Sequence, residues 1–134
     1  MSTKYTVDDL LADARSGLTR LEPAKVAAAQ RDGAILVDIR PYRQRVAEGE
    51  IPDSVIVERN VLEWRFDPAS DASLPEASYD ARIVVVCSEG YTSSLAAHAL
   101  CLLGVTRTTD LIGGFRAWRE AGLPTVPGGR PALP

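Results

Sequence analysis

The sequence predicts an α/β fold: a small parallel sheet with helices on both faces. Three observations carry this. Short apolar, β-branched runs ("AILVDIR", "SVIVE", "RIVVV") alternate with helical stretches. The most apolar run, "RIVVV", has no polar alternation, as expected of a strand buried on both sides. Glycines and prolines fall between these segments rather than inside them. Successive strands joined by helices imply right-handed crossovers, and ligands of such sheets bind beyond the carboxyl ends of the strands.

The elements follow in order. "TVDDLLADARSG" predicts a short helix, with Thr6 as cap, Asp8 and Asp9 in the first turn and Gly17 after its end. "EPAKVAAAQRDG" predicts a second, opened by Pro23 and stopped by Gly33. A strand at "AILVDIR" leads to a charged helix over 41–48, a strand over 54–58 and a helical turn over 60–66. In that turn, which carries Trp64, Arg65 and Phe66, core packing is the default expectation for Trp64 and a partner-docking rim the second reading. The Pro-, Ser- and Asp-rich loop "DPASDASLPEASYD" precedes the strand "RIVVV", a turn at Cys87 and a helix over 93–103. A short strand near 107–111 and a last helix in "GGFRAWREAG" complete the domain. We expect a helical extension over 1–21, one domain over 22–127 and a flexible Pro/Gly tail over 128–134.

Composition excludes several classes. With 134 residues the chain forms one domain, and its net charge of −3 offers no basic surface for nucleic acid. No apolar run approaches a bilayer span, and the acidic, polar start is unlike a signal or transit peptide, so a soluble cytoplasmic protein is expected. Two cysteines do not make a disulfide scaffold, and Cys87, His98 and Cys101 lack paired metal-ligand spacing. Cys101 falls about 12 Å along the helix from its start, beyond the roughly 7 Å a disulfide with Cys87 tolerates. His98, deep in the same helix, points away from the turn. Core packing is expected for Cys101, and a packed or partly exposed place for His98.

Cys87 differs from both. The turn "CSEGYTS" runs from a strand end directly into a helix start, where unpaired N–H groups and the helix dipole present positive potential. Successive amides in a tight turn form an anion nest. These effects favour the thiolate over the thiol. Gly90 admits backbone geometry that a side chain would obstruct, and Thr92 and Ser93 offer hydroxyls to an anion or to the helix end. Cys87 is the candidate nucleophile.

Four segments in order then resemble the rhodanese-like sulfurtransferases, over about residues 22 to 127. They are "DGAILVDIR" with Asp38 and Arg40, "AEGEIPDSVIV", "VVVCSEGYTSS" and "LIGGFRAWREAGLPTVPG". The resemblance implies a rhodanese-like fold and a sulfur relay. Cys87 would take a sulfane sulfur as a persulfide and pass it to a thiol or cyanide. The loop of Ser88, Glu89, Gly90, Tyr91 and Thr92 would hold the charge, with Asp38, Arg40 and Ser93 in support. It implies no metal or organic cofactor. The partners would be a small-molecule or protein persulfide donor and a thiol acceptor, with oligomeric state left open. Gly113 and Gly114 would serve a turn and Trp118 packing.

Two departures are informative. Glu50 stands where the resembling segment usually has histidine, with Asp53 and Ser54 in place of Gly and Ala. Ser88 and Glu89 stand where thiosulfate-using relatives commonly carry basic residues, which predicts a poor thiosulfate enzyme. Phosphatases and arsenate reductases share the architecture but need an arginine at the sixth position after the cysteine; here it is Ser93. A non-enzymatic binding or regulatory module is the other alternative, and Cys87 weighs against it.

Overall fold

A run of four β-branched residues with no polar member belongs in the middle of a sheet, and that is where the chain puts it. In the computed structural model, which describes residues 4–134, the strands are β1 (Ile35–Asp38), β2 (Val55–Ile56), β3 (Ile83–Val86) and β4 (Thr108–Asp110). All pair in parallel, in the order β2-β1-β3-β4. Register is set along the central pair, with Ile35 opposite Ile83 and Asp38 opposite Val86.

Strand alternation divides the core in two. Val37, Ile83 and Val85 face α4 (Leu62–Phe66) and α5 (Thr92–Leu102), packing on Leu62, Phe66, Ala96, Ala97 and Leu100. Leu36, Val84 and Val86 face α2 (Pro23–Arg31) and α6 (Gly114–Glu120), packing on Val26, Ala29, Phe115 and Trp118. The remaining helices are α1 (Val7–Ser16) and α3 (Tyr42–Glu48), with a 3-10 turn at Arg59–Val61. Thr6 caps α1 as expected, its hydroxyl accepting from Asp9 N–H while the Asp9 carboxylate accepts from Thr6 N–H. Of the expected extension 1–21, residues 1–3 lie outside the described residues; α1 packs against α5. Among the described residues no helix is long and apolar enough to cross a membrane.

Trp64 departs from expectation. It is 60% exposed, while Leu62 and Phe66 are fully buried. Residues four apart share a helix face, so once Leu62 and Phe66 turn inward, Trp64 between them turns out.

The segment 128–134, where a flexible tail was expected, is held by a buried carboxylate. Val126 bridges to Glu50, and the fully buried Glu50 side chain accepts from Arg45 Nη1 (2.8 Å), Arg130 Nε (2.7 Å) and Gly129 N–H (2.9 Å). Arg130 also donates to Ser54, and Leu133 N–H to the Ile56 carbonyl. The histidine-to-Glu50 departure thus comes with partners for a buried charge. Asp53 adopts φ +64°, so the turn keeps a left-handed residue where the resembling segment has glycine.

Burial pushes the Glu50 carboxyl up, but the hydrogen bonds from Arg130, Gly129 and Arg45 outweigh it and hold the group below its ordinary range. A depressed folded-state value contributes stability above the unfolded value of about 4.3, lost as pH falls through the folded one. Arg130→Ala is expected to cost about 1–3 kcal/mol at neutral pH, and less as the medium is acidified through that window. Urea denaturation of both proteins across pH 3 to 7 (roughly the span of a carboxyl titration) checks it; a pH-independent difference contradicts the assignment.

Candidate active site

The sheet order makes β1 and β3 neighbours whose chains depart toward opposite edges, and a crevice opens beyond their carboxyl ends. Cys87 follows the last residue of β3. Its parity matches Ile83 and Val85, so its side chain joins the face covered by α5 and is only 5% exposed. A cavity of about 640 Å³ reaches it, walled by Ile39, Arg40 and Gln44 after β1, by Glu58 and Arg59 after β2, and by the loop itself.

The loop curls back on the sulfur: Gly90 N–H donates to Cys87 Sγ at 3.2 Å. Two glycines permit this. Gly90 has φ +86°, and a Cβ there would stand 2.7 Å from Gly113 N. Gly114 has φ +65°, and a Cβ there would stand 2.6 Å from the carbonyl oxygens of Cys87 and Ser88. Gly114 therefore does more than form a turn; it lets α6 meet the loop backbone to backbone.

That approach fixes the loop's peptide planes. Phe115 N–H donates to the Cys87 carbonyl (2.8 Å) and Arg116 N–H to the Ser88 carbonyl (3.1 Å). From the other side, Arg15 and Arg20 donate to the Gly90 carbonyl at 2.7 and 3.0 Å. No described peptide bond is cis, and a trans peptide carries its oxygen and its N–H on opposite edges. Anchoring these three oxygens turns the amides of Ser88, Glu89 and Tyr91 away from the anchors.

Asp38 and Arg40 form a buried pair, Arg40 Nη2 lying 2.6 Å from Asp38 Oδ2, both residues 1% exposed. The link to the loop runs through Glu48, which the sequence did not single out. Glu48 accepts from Arg40 Nη1 (3.1 Å), from the Ser88 hydroxyl (2.7 Å) and from Arg116 Nε (3.1 Å). Burial pushes the Glu48 carboxyl up, and these three donors more than offset it, leaving it below the ordinary range. Burial likewise opposes charge on Arg40, and Asp38 and Glu48 outweigh it.

The Ser93 hydroxyl is turned neither to a bound anion nor to the end of α5, the two uses expected of it. It donates to the Asp110 carboxylate (Oδ2, 2.7 Å), as the Ser94 hydroxyl does at 2.8 Å, which keeps it in a supporting place. Asp110, fully buried at the end of β4, also receives Arg20 Nε at 2.9 Å. Thr92 and Tyr91 stay exposed and line the cavity. Glu89 is exposed at the rim, 3.6 Å from Arg116. Cys101 is half-buried, with its thiol against the Thr108 carbonyl, and burial pushes that thiol up.

Glu48, Arg116, Asp110, Arg15 and Arg20 were missed by sequence reasoning. Asp110 alone carried a signal: like Asp38, it is an acid at the end of a predicted strand. Arg40→Ala, which strands the Asp38 carboxylate in the interior, is expected to cost about 3–5 kcal/mol, against under about 1 kcal/mol for a surface pair. Equilibrium unfolding in urea separates the two values.

A model of the rhodanese-like domain matches residues 22–121. The thiosulfate sulfurtransferase GlpE of Pseudomonas syringae is 34% identical over 100 residues, covering 75% of this chain and 86% of that protein. A sulfurtransferase of Allochromatium vinosum is 32% identical over 98 residues, covering 73% and 83%. A solved Rhodopseudomonas palustris protein, described as of unknown function and a possible tyrosine phosphatase, superposes with a TM-score of 0.83 at 33% identity. That match covers 93% of this chain and 96% of the other. With its sheet order, its cysteine at the end of β3 and these matches, the chain belongs to the rhodanese-like domain family.

Proposed function

We propose that the protein is a sulfurtransferase that carries sulfane sulfur on Cys87. The observation that carries this reading is the buried thiol at a strand end, receiving an amide hydrogen bond from its own loop beside an open cavity. In the first step the Cys87 thiolate attacks the outer sulfur of a persulfide donor. The donor's S–S bond breaks, and its thiolate departs with the bonding pair. In the second, an acceptor thiolate or cyanide attacks the terminal sulfur on Cys87, and Cys87 leaves as the thiolate it began as. Protons and electrons balance without an oxidant. The amides of the 88–92 loop stabilise the negative sulfur at both stages.

The donor we favour is a small-molecule or protein persulfide rather than thiosulfate. The two guanidiniums lining the cavity are already committed, Arg40 to Asp38 and Glu48 and Arg59 to Glu63 at 2.7 Å. Glu58 and Glu89 add negative charge at the rim, and Arg116 offsets part of the latter. A dianion finds no uncommitted cation among the lining side chains there, and the rim carboxylates repel it. Relatives named as thiosulfate sulfurtransferases make the comparison direct.

The phosphatase reading raised by the Rhodopseudomonas palustris protein fits less well. The sixth residue after Cys87 is Ser93, committed to Asp110; Arg15 and Arg20 hold the Gly90 carbonyl, and Arg40 is paired with Asp38 and Glu48. Hydrolysis of an aryl phosphate is expected to be absent.

Intact-mass measurement after incubation with inorganic polysulfide is expected to show one added sulfur in the wild type and none in Cys87→Ser. A wild type that gains no sulfur from any donor supports a binding module instead. For the donor, Glu89→Lys is expected to raise thiosulfate kcat/KM by about fivefold, the worth of a two-unit change of charge at a solvent-screened rim position. Unchanged kinetics contradict the charge argument.

A further inference from the structure

Residues 22–121 match the family model, yet two of the groups that hold the nucleophile's loop come from ahead of that stretch. Arg15, in the last turn of α1, donates through Nη2 to the Gly90 carbonyl (2.7 Å) and through Nε to Ser94 Oγ (3.0 Å). Arg20, in the segment leading to α2, donates through Nη2 to the same carbonyl (3.0 Å) and forks onto the buried Asp110. Two guanidiniums on one carbonyl oxygen fill both of its lone pairs with charged donors. Both side chains are partly buried, and Arg15 also lies 5.8 Å from the Tyr91 ring centroid.

We infer that Arg15 and Arg20 are positioning residues for the Cys87 loop. Gripping the Gly90 oxygen fixes the tilt of the Gly90–Tyr91 peptide, so that Tyr91 N–H is presented on the opposite edge to the sulfur on Cys87. The two charged donors at the oxygen, one of them paired with Asp110, polarise the peptide and make that N–H a stronger donor. Neither arginine touches the reacting atoms. α1 is therefore a working part of the site, and the segment before residue 22 carries function as well as packing.

The inference rests in part on the sulfur-transfer reading, so its test has a readout that does not. Three variants of the full chain serve: Arg15→Gln, Arg15→Lys and Thr6→Ala. Thr6→Ala loosens the start of α1 through its capping box and leaves both guanidiniums in place. The first readout is the alkylation rate of Cys87 by iodoacetamide at fixed pH, mapped by peptide mass spectrometry to separate it from Cys101. The second is the rate of sulfur loading from inorganic polysulfide.

Arg15→Gln is expected to slow both rates by about fivefold, with Arg15→Lys recovering part of the loss and Thr6→Ala near wild type. Rates in Arg15→Gln equal to wild type overturn the inference. Equal slowing by Thr6→Ala also overturns it, since loosening α1 would then suffice. If the wild type takes up no sulfur while Arg15→Gln still slows alkylation, the transfer reading fails and the positioning role stands.

Discussion

A trans peptide unit cannot turn its oxygen and its N–H to the same side, and the Cys87 loop depends on that constraint. The loop has few side chains able to stabilise an anion, and its Glu89 is itself negative. What it has is backbone, and backbone becomes a directed set of donors only when its carbonyls are held elsewhere. The first turn of α6 holds two of them, and the arginines before α2 hold a third. Gly114 is what allows α6 to approach closely enough, and Gly90 is what lets the loop close on the sulfur.

The supports on either side of the loop follow one plan. β3 has two neighbours, β1 and β4, and each ends in a buried aspartate. Asp38 engages Arg40, which reaches Ser88 through Glu48; Asp110 engages Arg20 and the hydroxyls of Ser93 and Ser94. Burying such charges costs several kcal/mol each unless every oxygen is met, and no buried side-chain polar atom among the described residues lacks a partner. Glu48 and Glu50, two positions apart, divide the work: one serves the loop, the other the C-terminal segment.

Local features of the sequence made the scaffold legible. Hydrophobic runs, caps and glycines give every strand and helix to within a residue or two, because each depends on its own neighbours in the chain. The position of Cys87 was legible for the same reason, since a strand end, a glycine and a helix start are adjacent in sequence. The long-range polar contacts were not. Arg15 meets Gly90 across 75 positions and Arg130 meets Glu50 across 80, and no periodicity records such a meeting. Ser93 shows the limit most plainly: a hydroxyl beside an anion nest serves a carboxylate on another strand. Trp64 failed for a different reason, because a helix of five residues has too few turns for its inward face to be read from composition.

Cys87 owes its direction to the sheet rather than to the loop, being the next odd-numbered residue after Ile83 and Val85 in a strand hydrogen-bonded on both sides. Reagent and receptor are thereby separable. The sulfur's location inherits the stiffness of the central strand, whereas the exposed residues 89, 91 and 92 are free to differ in charge and size. The architecture can meet a different ligand by redrawing a few side chains around a thiol that never has to move.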